Sequence, residues 1–182
     1  MANAIGMVEF TSIARGIYTT DQMLKTSDVE IVTASSVCPG KYIAIVNGDV
    51  SSVKESVSVG EKMAGEFWID STIIPNVNPL VFPAITGATM PESIKALGIL
   101  ESFSIANMVI AADDVLKASD LEPIELRLGT GLGGKSFFIF TGDVAAVEVG
   151  IDAGKSSMEK KGLLVNAEII PSPSDRLLKS LL

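Results

Sequence analysis

Histidine is absent from this chain and cysteine occurs once, at Cys38. An intrachain disulfide is therefore excluded, as is any mechanism or metal site that depends on imidazole. Lys and Arg are outnumbered by Asp and Glu, 14 to 22, and no stretch gathers the basic residues into one face, so a nucleic-acid partner is not expected. Long apolar runs are missing too. Segments such as Tyr42–Val46 and Phe137–Phe140 fall far short of the ~20 residues that cross a bilayer, and no membrane partner is expected. Met1–Glu9 has neither the basic region nor the apolar run and cleavage site of a signal peptide, which gives the expectation of a cytoplasmic protein. What remains for chemistry is Cys38, carboxylates, lysines and backbone.

Hydrophobic residues, by contrast, make up 47% of the 182 residues, with a mean hydropathy of +0.42. That is more apolar surface than a lone soluble monomer of this size needs to bury, so contacts between chains are expected. The sequence also repeats itself. Ala4-Ile-Gly-Met-Val-Glu9 returns 92 positions later as Ala96-Leu-Gly-Ile-Leu-Glu101, and Ser12-Ile-Ala14 as Ser104-Ile-Ala106. Asp21, Leu24, Lys25, Ser27 and Asp28 keep the same offset to Asp113, Leu116, Lys117, Ser119 and Asp120. Gly40-Lys41 matches Gly134-Lys135 at an offset of 94, which places a two-residue insertion in the loop before Gly134. Gly48-Asp49-Val50 keeps that offset to Gly142-Asp143-Val144, and Ile74-Pro75 matches Ile170-Pro171 at 96. Two tandem domains follow, residues 1–90 and 91–182, with Thr86–Glu92, rich in Gly, Pro and Thr, as the linker.

Within each copy the hydrophobic period supplies the element order. A strand over Ile5–Phe10 opens it. A helix over residues 12–26, capped by Thr11 or Ser12, has the apolar stripe Ile13, Ile17 and Leu24, mirrored by Ile105, Val109, Ala112 and Leu116. Glu30–Val37 and Tyr42–Val46 read as paired strands around a turn at Pro39-Gly40. Asp49 caps a second helix with the stripe Val50, Val53, Val57 and Met63 or Ala64, mirrored by Val144, Val147, Ile151 and Met158. A last strand ends at Ile74-Pro75, followed by a short helix. The fold class is α+β, two tandem βαββαβ (ferredoxin-like) domains with helices on one face of a mainly antiparallel sheet.

Gly129-Thr-Gly-Leu-Gly-Gly134-Lys135-Ser136 satisfies the spacing of a phosphate-binding P-loop and of G-x-G-x-x-G. Both motifs need a helix after the glycines, so that free N–H groups meet the phosphates. Phe137-Phe-Ile-Phe140 is a β-type run, so the expected element is a hairpin loop whose glycines supply positive φ. Cys38 has two readings: a small buried hydrophobe, the usual role of a lone cysteine, or a ligand, suggested by its place in a Pro-Gly turn with Leu132 as its counterpart.

Ala-Ile-Gly-Met-Val-Glu at a strand, Asp-Gln-Met-Leu-Lys-Thr-Ser at a helix end, Gly-Lys before a strand and Gly-Asp-Val before a helix together resemble the bacterial microcompartment (BMC) shell domain. Both halves carry the pattern, so the chain resembles a tandem-domain BMC shell protein, and Ser36-Val-Cys38-Pro-Gly-Lys41 is closest to the propanediol-utilisation type. The resemblance implies a non-enzymatic homotrimer, a pseudo-hexagonal tile that joins other microcompartment shell proteins in a cytoplasmic compartment. It implies pore loops at Ser36, Val37, Cys38, Pro39 and Gly40 in the first copy and Leu128–Gly134, with Gly131, Leu132 and Gly133, in the second. Lys25 and Lys117 are implied as tile-edge residues, although a helix-end lysine is equally at home as a solvated cation beside the helix dipole. Where many relatives have an arginine after Ile-Pro, this chain has Asn76 and Ser172. Three Cys38 thiolates around a threefold axis would hold one [4Fe-4S] cluster per trimer, offset in charge by backbone N–H groups around Pro39-Gly40, for electron or cluster transfer to an encapsulated redox enzyme. A metal-free metabolite pore is the alternative. An oligomeric small-ligand regulator using Gly129–Ser136 is the alternative from another class.

Overall fold

The structure is a computed structural model that describes residues 4–159 and 162–181. The ends of the two expected domains, at residues 1 and 182, lie outside the described residues. The chain divides into two compact units, Met1–Thr86 with Gly129–Gly134, and Gly87–Leu128 with Lys135–Leu182.

In the first unit the order is β1 (Ala4–Phe10), α1 (Ile13–Thr26), β2 (Val29–Val37), β3 (Lys41–Gly48), α2 (Val50–Ala64), β4 (Trp68–Ile74) and α3 (Val81–Thr86). The strands form one antiparallel sheet in the order β2-β3-β1-β4, the ferredoxin-like arrangement. Period-2 alternation sends Ala4, Val8 and Phe10 of β1 and Tyr42, Ala44 and Val46 of β3 into the core shared with Met23, Val53, Val57 and Ala64 of the helices. Ser12 caps α1 by accepting from the Arg15 N–H, and Asp49 caps α2 by accepting from the N–H groups of Ser51 and Ser52. The hydroxyls of Ser51 and Ser52, together with those amides, hold the Asp49 carboxyl well below the usual carboxylate range.

The second unit repeats the plan: β5 (Ala96–Ser102), α4 (Ile105–Ala118), β6 (Glu122–Leu128), β7 (Ser136–Gly142), α5 (Val144–Glu159), β8 (Leu164–Ile170) and α6 (Asp175–Leu181). Its sheet has the order β6-β7-β5-β8, again antiparallel throughout. The short helix expected after each last strand is present in both units. In this unit Leu178 and Leu181 of α6 pack against a cluster of Leu97, Ile124 and Ile139.

The stripe expected on α1 is wrong in register. Gly16, Thr19, Thr20 and Met23 face inward, while Ile13 and Ile17 are exposed and Leu24 only borders the core. Small side chains decide this. Gly16 lets the helix settle on Tyr42, since a Cβ there would lie 2.5 Å from Tyr42 Cδ1 and 2.8 Å from its Cβ. In the second copy the expected stripe, Ile105, Val109, Ala112 and Leu116, is buried as read. There the corresponding positions carry Met108 for Gly16, Ser136 for Tyr42 and Ser102 for Phe10, so bulk moves from sheet to helix. Val144 of α5 is a second correction: it is exposed at the helix start, while Val147, Ile151 and Met158 are buried.

Gly16→Ala is therefore expected to destabilise the protein, although alanine is the better helix former by about 1 kcal/mol. The overlap is with the Tyr42 Cβ as well as its ring, so rotating the ring does not relieve it, and overpacking should win by about 1–2 kcal/mol net. Urea unfolding measures the difference. A more stable variant would show that the contact is not tight.

Candidate functional site

The hairpin between β2 and β3 carries the only thiol, and its base is fixed by an ion pair. Glu9 lies on the central strand with only 4% of its surface exposed, and Lys41, the first residue of β3, places Nζ 2.9 Å from Glu9 Oε1. A carboxylate removed from water needs such a partner. Lys135, at the start of the matching hairpin strand, pairs with Glu101 in the same way. The sequence shows Glu9 and Glu101, Lys41 and Lys135, as repeated motif residues without showing that they meet. Their joint recurrence in both copies is the signal that would have paired them.

At the tip, Val37 is buried, Ser36, Pro39 and Gly40 are exposed, and Cys38 is half-buried. The Cys38–Pro39 peptide is cis. The Cys38 N–H donates to the Gly129 carbonyl at 3.0 Å. Of the backbone groups around this turn, Pro39 has no N–H and that of Cys38 is committed to Gly129. Gly129, Gly131, Gly133 and Gly134 all have positive φ, between 60° and 90°, and the segment leads into β7. The P-loop spacing thus lies on a hairpin, without the helix N-terminus that phosphate binding uses. Gly131 and Gly133 are exposed and Leu132 is half-buried.

Lys25 and Lys117 each sit in the last turn of their helix. Lys25 Nζ lies 2.5 Å from Asp21 Oδ2, and Lys117 Nζ 2.6 Å from Asp113 Oδ2. The structure does not bring Lys25 near Cys38. β2 starts just after Lys25 and ends just before Cys38, and a nine-residue strand is about 30 Å long. Among the described residues, no group of three or more Cys, His, Asp or Glu side chains is placed to hold a metal ion within one chain. Nor is any helix of the described residues long and apolar enough to cross a membrane.

A ferredoxin-like α+β domain present twice, with a loop-bearing hairpin over a Glu–Lys ion pair in each copy, defines the class. Residues 4–77 and 96–173 each match the BMC domain, and the chain belongs to that family of bacterial microcompartment shell proteins. It is 36% identical over 177 residues to the bacterial microcompartment shell protein PduT of Citrobacter freundii, covering 97% of this chain and 96% of that one. It is 28% identical to the carboxysome assembly protein CcmO of Synechococcus elongatus over 99% of this chain and 69% of the relative. Among solved structures, a microcompartment protein from Desulfitobacterium hafniense superposes with a TM-score of 0.94 at 47% identity, covering 98% of this chain and 99% of that one.

Proposed function

We propose that the chain is a non-enzymatic tile of a microcompartment shell, in which three copies close a ring of six domains around a pore. The observation that carries this reading is a difference between corresponding helices. Ile13 and Ile17 of α1 are 40% and 55% exposed, whereas Ile105 and Val109 at the same positions of α4 are 2% and 0% exposed. An apolar face that is buried in one copy and open in the other is suited to a neighbouring copy of the chain, and a head-to-tail contact of this kind closes into a ring when the rotation per chain is one third of a turn.

The position of β2 supports the same reading. With Cys38 at one end of a strand and Lys25 beside the other, a domain set radially in the ring would bring its hairpin loop to the pore and its lysine to the rim. There Lys25 and Lys117 would meet other shell proteins. The exposed Lys25–Asp21 pair contributes little to stability, about 0.5 kcal/mol or less, and although Lys117 pairs with a buried Asp113, both ammonium groups stay accessible. Replacing both by alanine is expected to preserve the trimer and abolish two-dimensional sheets in negative-stain images. Unchanged sheets would return both residues to a solvated role.

Cys38 is the residue through which the pore would do chemistry. Each chain offers one thiol, and Leu132 offers none at the matching place, so the donors fit a cluster shared between chains and no site inside one. Three Cys38 side chains would hold a [4Fe-4S] cluster, which supplies one-electron transfer when bound. Exposed Pro39 and Gly40 keep the hairpin tip slim enough for three copies to converge, and half-burial of Cys38 limits solvent around the sulfur. The redox partner would be an enzyme inside the compartment. Protein assembled without oxygen is expected to contain about four iron atoms per trimer with thiolate-to-iron absorption near the visible range. Cys38→Ser should lose both while keeping the trimer. Iron absent from an intact trimer, or equal in Cys38→Ser, would leave the pore a metal-free metabolite channel.

A further inference from the structure

We propose that the glycine loop Gly129–Gly134, which carries no sulfur, is the positioning element of the Cys38 turn; this rests on the reading of Cys38 as the pore thiol. Three observations point to it. The Gly129 carbonyl accepts the Cys38 N–H at 3.0 Å, a bond between residues 91 positions apart. Gly134 has φ 90°, and a Cβ placed there would lie 3.3 Å from Pro39 Cδ and 3.6 Å from the Cys38 carbonyl oxygen. The loop belongs to the same compact unit as Cys38, apart from the strands β6 and β7 that it joins.

The glycines at the tip of the loop make no such close approach. Gly131 and Gly133 share the positive φ, yet a Cβ on either would meet nothing within 4 Å. On the first copy's own hairpin, Gly40 is equally free of neighbours. Cys38 and the residue after it are thus both held from outside the β2–β3 hairpin: Cys38 by the hydrogen bond of its amide, Pro39 by packing against a glycine whose replacement would press a methyl group on it. The two-residue insertion before Gly134 gains a physical purpose. It lengthens the sulfur-free loop so that it can reach the sulfur-bearing one, and a loop of this kind orients a ligand as supporting groups orient the ligands of metal sites.

The single cysteine makes the test direct, because every alkylation event reports on Cys38. In metal-free, reduced protein, Gly134→Ala forces its methyl group against Pro39, and the iodoacetamide rate constant of Cys38 is expected to rise by about threefold or more as the turn is released. Gly131→Ala introduces the same kind of backbone strain into open space and should stay within about twofold of the unaltered rate. Equal rates in the unaltered protein and Gly134→Ala, a slower rate in Gly134→Ala, or an equal rise in both variants would overturn the proposal. Circular dichroism and assembly mass establish that the variants are folded. Should Gly134→Ala not assemble, hydrogen exchange in the unaltered protein decides: the Cys38 amide should exchange at least about tenfold more slowly than an open loop amide, and an unprotected amide would refute the contact. Iron content separates this inference from the cluster reading. A raised alkylation rate together with an iron-free unaltered trimer would leave the positioning intact and remove the cluster. An unchanged rate with iron present would do the reverse.

Discussion

A carboxylate withdrawn from water on the central strand has to meet a cation, and for Glu9 that cation is Lys41, which opens the hairpin's second strand; the second copy repeats the pair with a part-exposed Glu101. Glu9 on β1 and Lys41 on β3 tie two adjacent strands together at the base of the loop, as Glu101 and Lys135 do on β5 and β7. The pair can form only with one register between those strands, because a slip by one residue would turn the lysine to the other face of the sheet. Everything carried by the hairpin inherits that constraint: where β2 ends, where Cys38 begins, and how far Gly134 lies from Pro39. A buried ion pair is a weak source of net stability but an effective device for fixing register, and here it fixes the register next to the one thiol.

Once the two copies share this frame, their differences carry the functional content. Tyr42 against Gly16 in the first copy gives way to Ser136 and Met108 in the second, so the source of the bulk in the helix–sheet core moves from the sheet to the helix. The loop differences do not compensate one another in this way. Cys38 has no sulfur counterpart, the glycine loop is longer, and α1 leaves Ile13 and Ile17 open where α4 has Ile105 and Val109 buried. In the proposed trimer, divergence between the copies at these places would give the pore a threefold pattern, where six identical domains would give a sixfold one.

Much of this was legible in the sequence because the repeat supplied two independent readings of every element. Strand and helix order, the caps Ser12 and Asp49, and the hairpin nature of the glycine loop follow from period, capping residues and the β-type run after Lys135. The buried face of α1 was not legible. Ile13 and Ile17 satisfy a helical stripe, but the sheet selects the face with Gly16, Thr19 and Thr20, and the apolar period does not tell a stripe meant for the sheet from one left to solvent or a partner. Val144, the first residue of α5, is exposed although its counterpart Val50 packs against the core, a difference the repeat does not show. The hydrogen bond from Cys38 to Gly129 left no trace in spacing, since it depends on a backbone carbonyl and on loop conformation.

The central claim is that the open face of α1 is half of a contact that three chains complete. Native mass spectrometry or light scattering of the purified protein at micromolar concentration tests it directly. The account predicts a single species of three times the 19.1 kDa chain mass, reduced to smaller species by Ile17→Asp, which places a charge on the exposed α1 face without touching the buried core. A stable monomer, or a trimer indifferent to Ile17→Asp, would contradict it.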